Sequence, residues 1–182
     1  MTEHHLAQVL ESAELVHDRT VIEAAVARMG GQLTRALAGE RAVFLTVMQG
    51  GLIFAGQLAL SIGSDLEFDY VHATRYRSGT RGGELEWRRR PAAPMRDRSV
   101  ILADDILDEG NTLAALRDAC LAEGARRVLI AVLCEKRHDR RVPGLAADFT
   151  GVQVPDRYVF GYGMDYQEQG RNLPGIYALG EG

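Results

Sequence analysis

The sequence predicts an α/β fold with a mostly parallel central sheet, on three observations. Apolar runs at residues 42–48, 99–103 and 128–134 read as short, buried strands. Segments with helical apolar spacing, residues 52–62 and 113–122, separate these runs. A glycine turn, Gln49-Gly50-Gly51, joins the first run to the first of those helices, which is half of a βαβ unit.

Taken in order, residues 6–39 keep apolar positions at helical spacing. Val21, Ile22, Ala25, Val26 and Met29 share a face that Leu33, Ala36 and Leu37 continue. Asp18 or Thr20 can cap the start, and Gly39 can end it. After the 42–48 strand and the 52–62 helix, residues 66–76 predict a second strand. Residues 77–83 predict a polar, mobile loop, and residues 84–90 alternate in strand fashion. Pro91, Pro94 and neighbouring charges mark a loop before the 99–103 strand, which ends at Asp104 and Asp105. A polar loop to Thr112 leads into the 113–122 helix, ended by Gly124, and the 128–134 strand follows. No repeat or linker divides the chain, so residues 1–182 read as one domain.

Composition narrows the function classes. With 182 residues, the chain can bury a full core but is short of two ordinary domains. Apolar residues at 46% and charged residues at 25% exclude disordered and fibrous classes. A formal net charge of −4 argues against a nucleic-acid binder that works through net positive charge. The absence of a long apolar run or a signal pattern, and two cysteines (Cys120, Cys134) without motif spacing, point to a soluble cytoplasmic protein that does not engage membranes.

The stretch from Val100 to Thr112 carries the most chemistry. Two carboxylates, Asp104 and Asp105, follow an apolar strand, a third, Asp108, comes three residues later, and Gly110 and Thr112 lead into a helix. Ligands of open α/β sheets bind beyond the carboxyl ends of strands. Backbone N–H groups of a tight loop and a helix N-terminus suit an anion, and adjacent carboxylates suit a hard divalent cation bridging to a phosphorylated substrate.

The pattern of two hydrophobics, two acids, two hydrophobics, Asp, x, Gly, x, Thr resembles the phosphoribosyl-pyrophosphate (PRPP) motif of the type I phosphoribosyltransferases. Over residues 14–179 the chain resembles the hypoxanthine-guanine phosphoribosyltransferase family. That resemblance implies the type I fold, with a central sheet flanked by helices, a small hood region and a mobile active-site loop. It also implies purine salvage: magnesium-dependent transfer of the 5-phosphoribosyl group from PRPP to N9 of hypoxanthine or guanine, giving IMP or GMP and pyrophosphate. Relatives are commonly dimers or tetramers, so a homodimer or homotetramer is expected.

The same resemblance assigns residues. Asp108, Glu109, Gly110, Asn111 and Thr112 would wrap the 5′-phosphate. Asp104 and Asp105 would face the ribose hydroxyls and, with Asp165, hold Mg2+. Asp108 would take the N7 proton as N9 attacks, its pKa raised by neighbouring carboxylates and phosphates. Met48-Gln49-Gly50-Gly51 matches the pyrophosphate loop, where a non-proline cis peptide commonly sits. Gln49 and Gly50 would contact pyrophosphate with Tyr76 and Arg171, although some relatives carry Lys at position 49 and many carry Ser at position 75, where this chain has Arg. Tyr158 would stack on the purine, backbone groups of Arg157 and Val159 would read its edge, and Lys136, or alternatively Arg137, would donate to O6. The five histidines show no metal-ligand spacing and receive no role. Two alternatives remain: a transferase preferring another base, and a PRPP-sensing RNA-binding regulator using Arg75, Arg77, Arg81 and Arg88-Arg89-Arg90.

Overall fold

The computed structural model describes residues 3–75 and 85–180. Tyr76 and the loop expected at residues 77–83 lie outside these residues. The elements run α1 (Glu3–Ser12), β1 (Glu14–His17), α2 (Arg19–Leu37), β2 (Ala42–Met48), α3 (Leu52–Leu60), β3 (Leu66–Arg75) and β4 (Leu85–Arg89). They continue β5 (Ser99–Leu107), α4 (Asn111–Ala122), β6 (Arg127–Lys136), β7 (Phe149–Val154), β8 (Val159–Phe160) and β9 (Ile176–Ala178).

Six strands form the main sheet in the order β4-β3-β2-β5-β6-β7. All its pairings are parallel except that of β4, which runs antiparallel on the edge. Side chains alternate across the sheet, as the pleat requires. Phe44, Ile101, Ala131 and Leu133 join the core beneath α2 and α3. Val43, Leu45, Val100, Leu102, Ile130 and Val132 join the core under α4. Burial on both faces explains why these strands read as continuous apolar runs.

Of the two residues offered as a cap for α2, Asp18 takes the role, its Oδ1 accepting the Val21 N–H at 2.9 Å. The continuous helical stretch expected over residues 6–39 is instead broken. Residues 14–17 form β1, which pairs antiparallel with β9 at the far end of the chain. Together with β8 they make a separate three-stranded sheet, the expected hood. So short a strand gains its stability from a distant partner, so local periodicity does not reveal it.

A second correction positions the site. The 99–103 strand runs on to Leu107, so Asp104 and Asp105 lie within β5 and not in a loop after it. Pairing of β5 with β2 stops at Ala103, whereas pairing with β6 continues to Leu107. The last residues of β5 are therefore laddered on one side and open on the other, and the opening lies at the carboxyl ends of the parallel strands. Among the described residues, no helix is long and apolar enough to cross a membrane.

Candidate active site

Four segments converge on that opening: residues 48–51 after β2, residues 104–112, residues 136–141 after β6, and residues 156–171 around β8. Two glycines let them meet. A Cβ on Gly50 would overlap the Asp105 carboxylate, and one on Gly163 would overlap the Gly50 carbonyl oxygen. Gly163 also holds φ at 106°, a region that favours glycine. The Met48–Gln49 peptide bond is cis, as expected. Gln49 is exposed, and its carbonyl accepts the Leu52 N–H at 3.2 Å.

Asp108 stands at the centre. Its Oδ2 accepts from Lys136 Nζ at 2.7 Å, and its Oδ1 lies 2.6 Å from His138 Nε2. Burial, the largest single influence, pushes the Asp108 carboxyl up. The bonds from Lys136 and His138, together with the Lys136 charge, outweigh it and hold the group below the usual carboxylate range. This corrects the expected upward shift: two donors on the two oxygens favour the ionised form more than burial opposes it. Asp108 is thus a carboxylate at neutral pH. Lys136 sits in the cleft, whereas Arg137 turns to Gln153, donating from Nε to Oε1 at 3.2 Å.

The acidic pair behaves differently. Burial and the adjacent Asp105 charge push the Asp104 carboxyl well above its ordinary value. Burial also raises Asp105, against the opposing hydrogen bond from Asp104 and the Arg171 charge. Side-by-side carboxylates that resist full ionisation form an oxygen donor set that a hard divalent cation relieves, so the pair fits magnesium. Asp165 lies across the cleft, with Oδ1 2.9 Å from Arg171 and Oδ2 accepting the Glu168 N–H at 2.9 Å. Arg171 is anchored in turn, donating to the Gly163 carbonyl at 2.8 Å. Asp108, His138 and Asp156 also bring oxygen and nitrogen atoms within 4.8 Å of one another. Lys136 already occupies one Asp108 oxygen, and Arg140 holds both Asp156 oxygens at 2.7 and 2.8 Å, so the two carboxylates are ion-paired to these cations and His138 bonds to Asp108 between them.

Two concavities share Asp105, Ile106 and Asp108 as their common wall. One is lined by Asp104, Glu109, Gly110, Asn111, Thr112 and Arg140 and opens at the start of α4. Gly110, at φ 82°, precedes that helix without a capping side chain, which leaves first-turn N–H groups available to an anion. The other is lined by Lys136, Tyr158, Val159, Met164 and Asp165. The Tyr158 ring is half exposed while its hydroxyl donates to the Asp165 carbonyl at 2.9 Å, which presents a fixed aromatic face. Arg157 directs its side chain to Glu14 and to the Leu179 carbonyl. Ile106, Met164, His138 and Arg140 were not singled out from the sequence. Ile106 falls in the stretch read as a polar loop, Met164 carries no local signal of its own, and the last two sit in a run of charges that looks solvated.

A family model described as the phosphoribosyl transferase domain matches residues 12–169. A hypoxanthine-guanine phosphoribosyltransferase of Streptococcus pneumoniae is 34% identical over 182 residues, covering 100% of this chain and 97% of that protein. The Bacillus subtilis protein of the same name is 32% identical over 180 residues, covering 98% and 96%. Among solved structures, a hypoxanthine phosphoribosyltransferase from Staphylococcus aureus superimposes with a TM-score of 0.89 at 27% identity, covering 98% of this chain and 96% of that one.

Proposed function

Because the chain belongs to the hypoxanthine-guanine phosphoribosyltransferase family, we propose that its cleft joins a 6-oxopurine to PRPP, releasing pyrophosphate, as a purine salvage enzyme. The observation that carries this reading is the shared wall: one ionised carboxylate, Asp108, faces both an anion-binding loop and a pocket with an aromatic face. Residues 1–182 act as one domain.

The 5′-phosphate binds to the N–H groups of residues 108–112 and the Thr112 hydroxyl. Asp104 and Asp105 bond the ribose hydroxyls. These two and Asp165 would hold magnesium, which when bound supplies neutralisation of the pyrophosphate charge. Gln49, Gly50, Tyr76 and Arg171 hold the leaving pyrophosphate. The purine lies against Tyr158, with Ile106 and Met164 as apolar walls and the Arg157 and Val159 backbone at its edge. Lys136 has three donors, so it can keep Asp108 while donating to O6. Asp108 accepts the N7 proton as N9 bonds to C1′ and the C1′–O bond breaks. Enclosure of the ribose excludes water during that step.

The rival regulator needs free basic residues. Arg89 pairs with Asp69 at 2.7 Å and lies over the Tyr70 ring, and Arg90 stacks on Trp87, which favours the enzyme.

The base assignment is tested at positions 136 and 137. Lys136→Met is expected to lower kcat/KM for hypoxanthine about 10- to 100-fold, the scale of a lost charged hydrogen bond. It should also narrow the preference for hypoxanthine over adenine. Arg137→Met should leave both within about threefold, since its side chain lies outside the pocket. The reverse result would give the O6 contact to Arg137.

A further inference from the structure

Resting on the Asp108 assignment above, we propose that His138 is a positioning residue for phosphoribosyl transfer, fixing the plane of the Asp108 carboxylate through a neutral Nε2–H tautomer. The His138 side chain is only 3% exposed, and Nε2 lies 2.6 Å from Asp108 Oδ1. Its other nitrogen, Nδ1, faces the Arg140 backbone N–H at 3.1 Å. A backbone N–H can only donate, so Nδ1 must be the acceptor and the ring proton resides on Nε2, aimed at Asp108. The tautomer is therefore set by the fold.

Lys136 alone does not set that plane. Its ammonium is a rotatable point charge on a flexible stem and reaches only Oδ2. A rigid ring on Oδ1 completes a two-point hold, and the carboxylate then has one orientation relative to both concavities. The ring is itself anchored. Arg140, whose backbone N–H the ring accepts, is clamped to Asp156 through its two terminal guanidinium nitrogens. The charged groups facing His138 are Asp108, Lys136, Arg140 and Asp156, with Glu109 further out acting on Arg140. A proton acceptor must meet the N–H it receives along a lone pair, so a carboxylate free to rotate loses rate and leaves substrate binding intact.

Two measurements test this. Long-range proton–nitrogen spectra of histidine-labelled wild-type protein at pH 7.5 are expected to show His138 in the Nε2–H tautomer. An Nδ1–H tautomer or a mixture overturns the proposal without any variant having to fold. Single-turnover rates with PRPP, magnesium and hypoxanthine supply the functional test. His138→Gln places an amide N–H where Nε2 stands and should stay within about threefold of wild type. His138→Asn keeps an acceptor for Arg140 but is too short to reach Asp108. It should lose about 10- to 100-fold in rate, with KM for both substrates within about threefold. Equal rates for the two variants, whether at the wild-type level or reduced together with a raised KM, overturn the positioning role. Asp108→Asn, run in parallel, separates the two readings. If it is inactive while the His138 variants match each other, only the His138 role fails, whereas wild-type activity in Asp108→Asn removes both.

Discussion

Asp108→Asn is expected to lower the single-turnover rate of nucleotide formation by about 10²- to 10⁴-fold, the range for loss of a positioned general base. The substitution removes the charge and also creates a conflict. Both Asp108 oxygens face donors, Lys136 at 2.7 Å and His138 at 2.6 Å, and an amide has one oxygen to offer the two. Lys136, whose side chain is 13% exposed, also loses its counter-charge. PRPP binding should change far less, because the backbone N–H groups proposed to hold the phosphate are left in place by the substitution. Rapid-quench assays at pH 7.5 check this, and a rate within tenfold of wild type would remove Asp108 from the chemistry. The pH profile carries a further sign. With its folded value held below the ordinary aspartate value of about 3.9, Asp108 stays ionised down through pH 5. Its protonation should therefore produce no acidic loss of rate above that point.

Gly163→Ala is the second large effect. Alanine at φ 106° is strained, at a cost of about 1–3 kcal/mol, and its methyl group would overlap the Gly50 carbonyl oxygen. Backbone on backbone cannot rotate away, so residues 49–51 and the 161–165 segment must separate. That moves the proposed pyrophosphate contacts away from Asp165 and Arg171. A displacement of about 1 Å costs on the order of a hundredfold in rate, so kcat/KM for PRPP should fall at least that far, with a lower melting temperature. Gly56→Ala is the matched control. Gly56 is exposed in α3 and a Cβ there meets nothing within 4 Å, so stability should rise by about 0.5–1 kcal/mol with unchanged kinetics. If Gly163→Ala keeps wild-type kinetics, the two segments are not parts of one site.

What the sequence revealed follows from what is local. The strands at residues 42–48 and 128–134 were legible because both faces are buried, which forces unbroken apolar runs. Asp104 and Asp105 concealed the last four of the nine residues of β5, since polar residues in a strand look like its end unless the ladder to β6 is visible. β1, β8 and β9 are two to four residues long, and the sheet they form depends on β1 pairing with β9 at the opposite end of the chain. The acidic motif named the Asp108 region because its spacing is contiguous. His138 was silent for the opposite reason: its partner lies thirty positions away, and the charges around it resemble a solvated surface.

The transfer reaction itself is tested by offering the purified protein PRPP, magnesium and an equimolar mixture of hypoxanthine, guanine, xanthine, adenine and uracil. Products are read by mass. Inosine or guanosine monophosphate appearing with stoichiometric pyrophosphate is the predicted result. Adenosine or uridine monophosphate as the main product, or bound PRPP with no nucleotide formed, would contradict it.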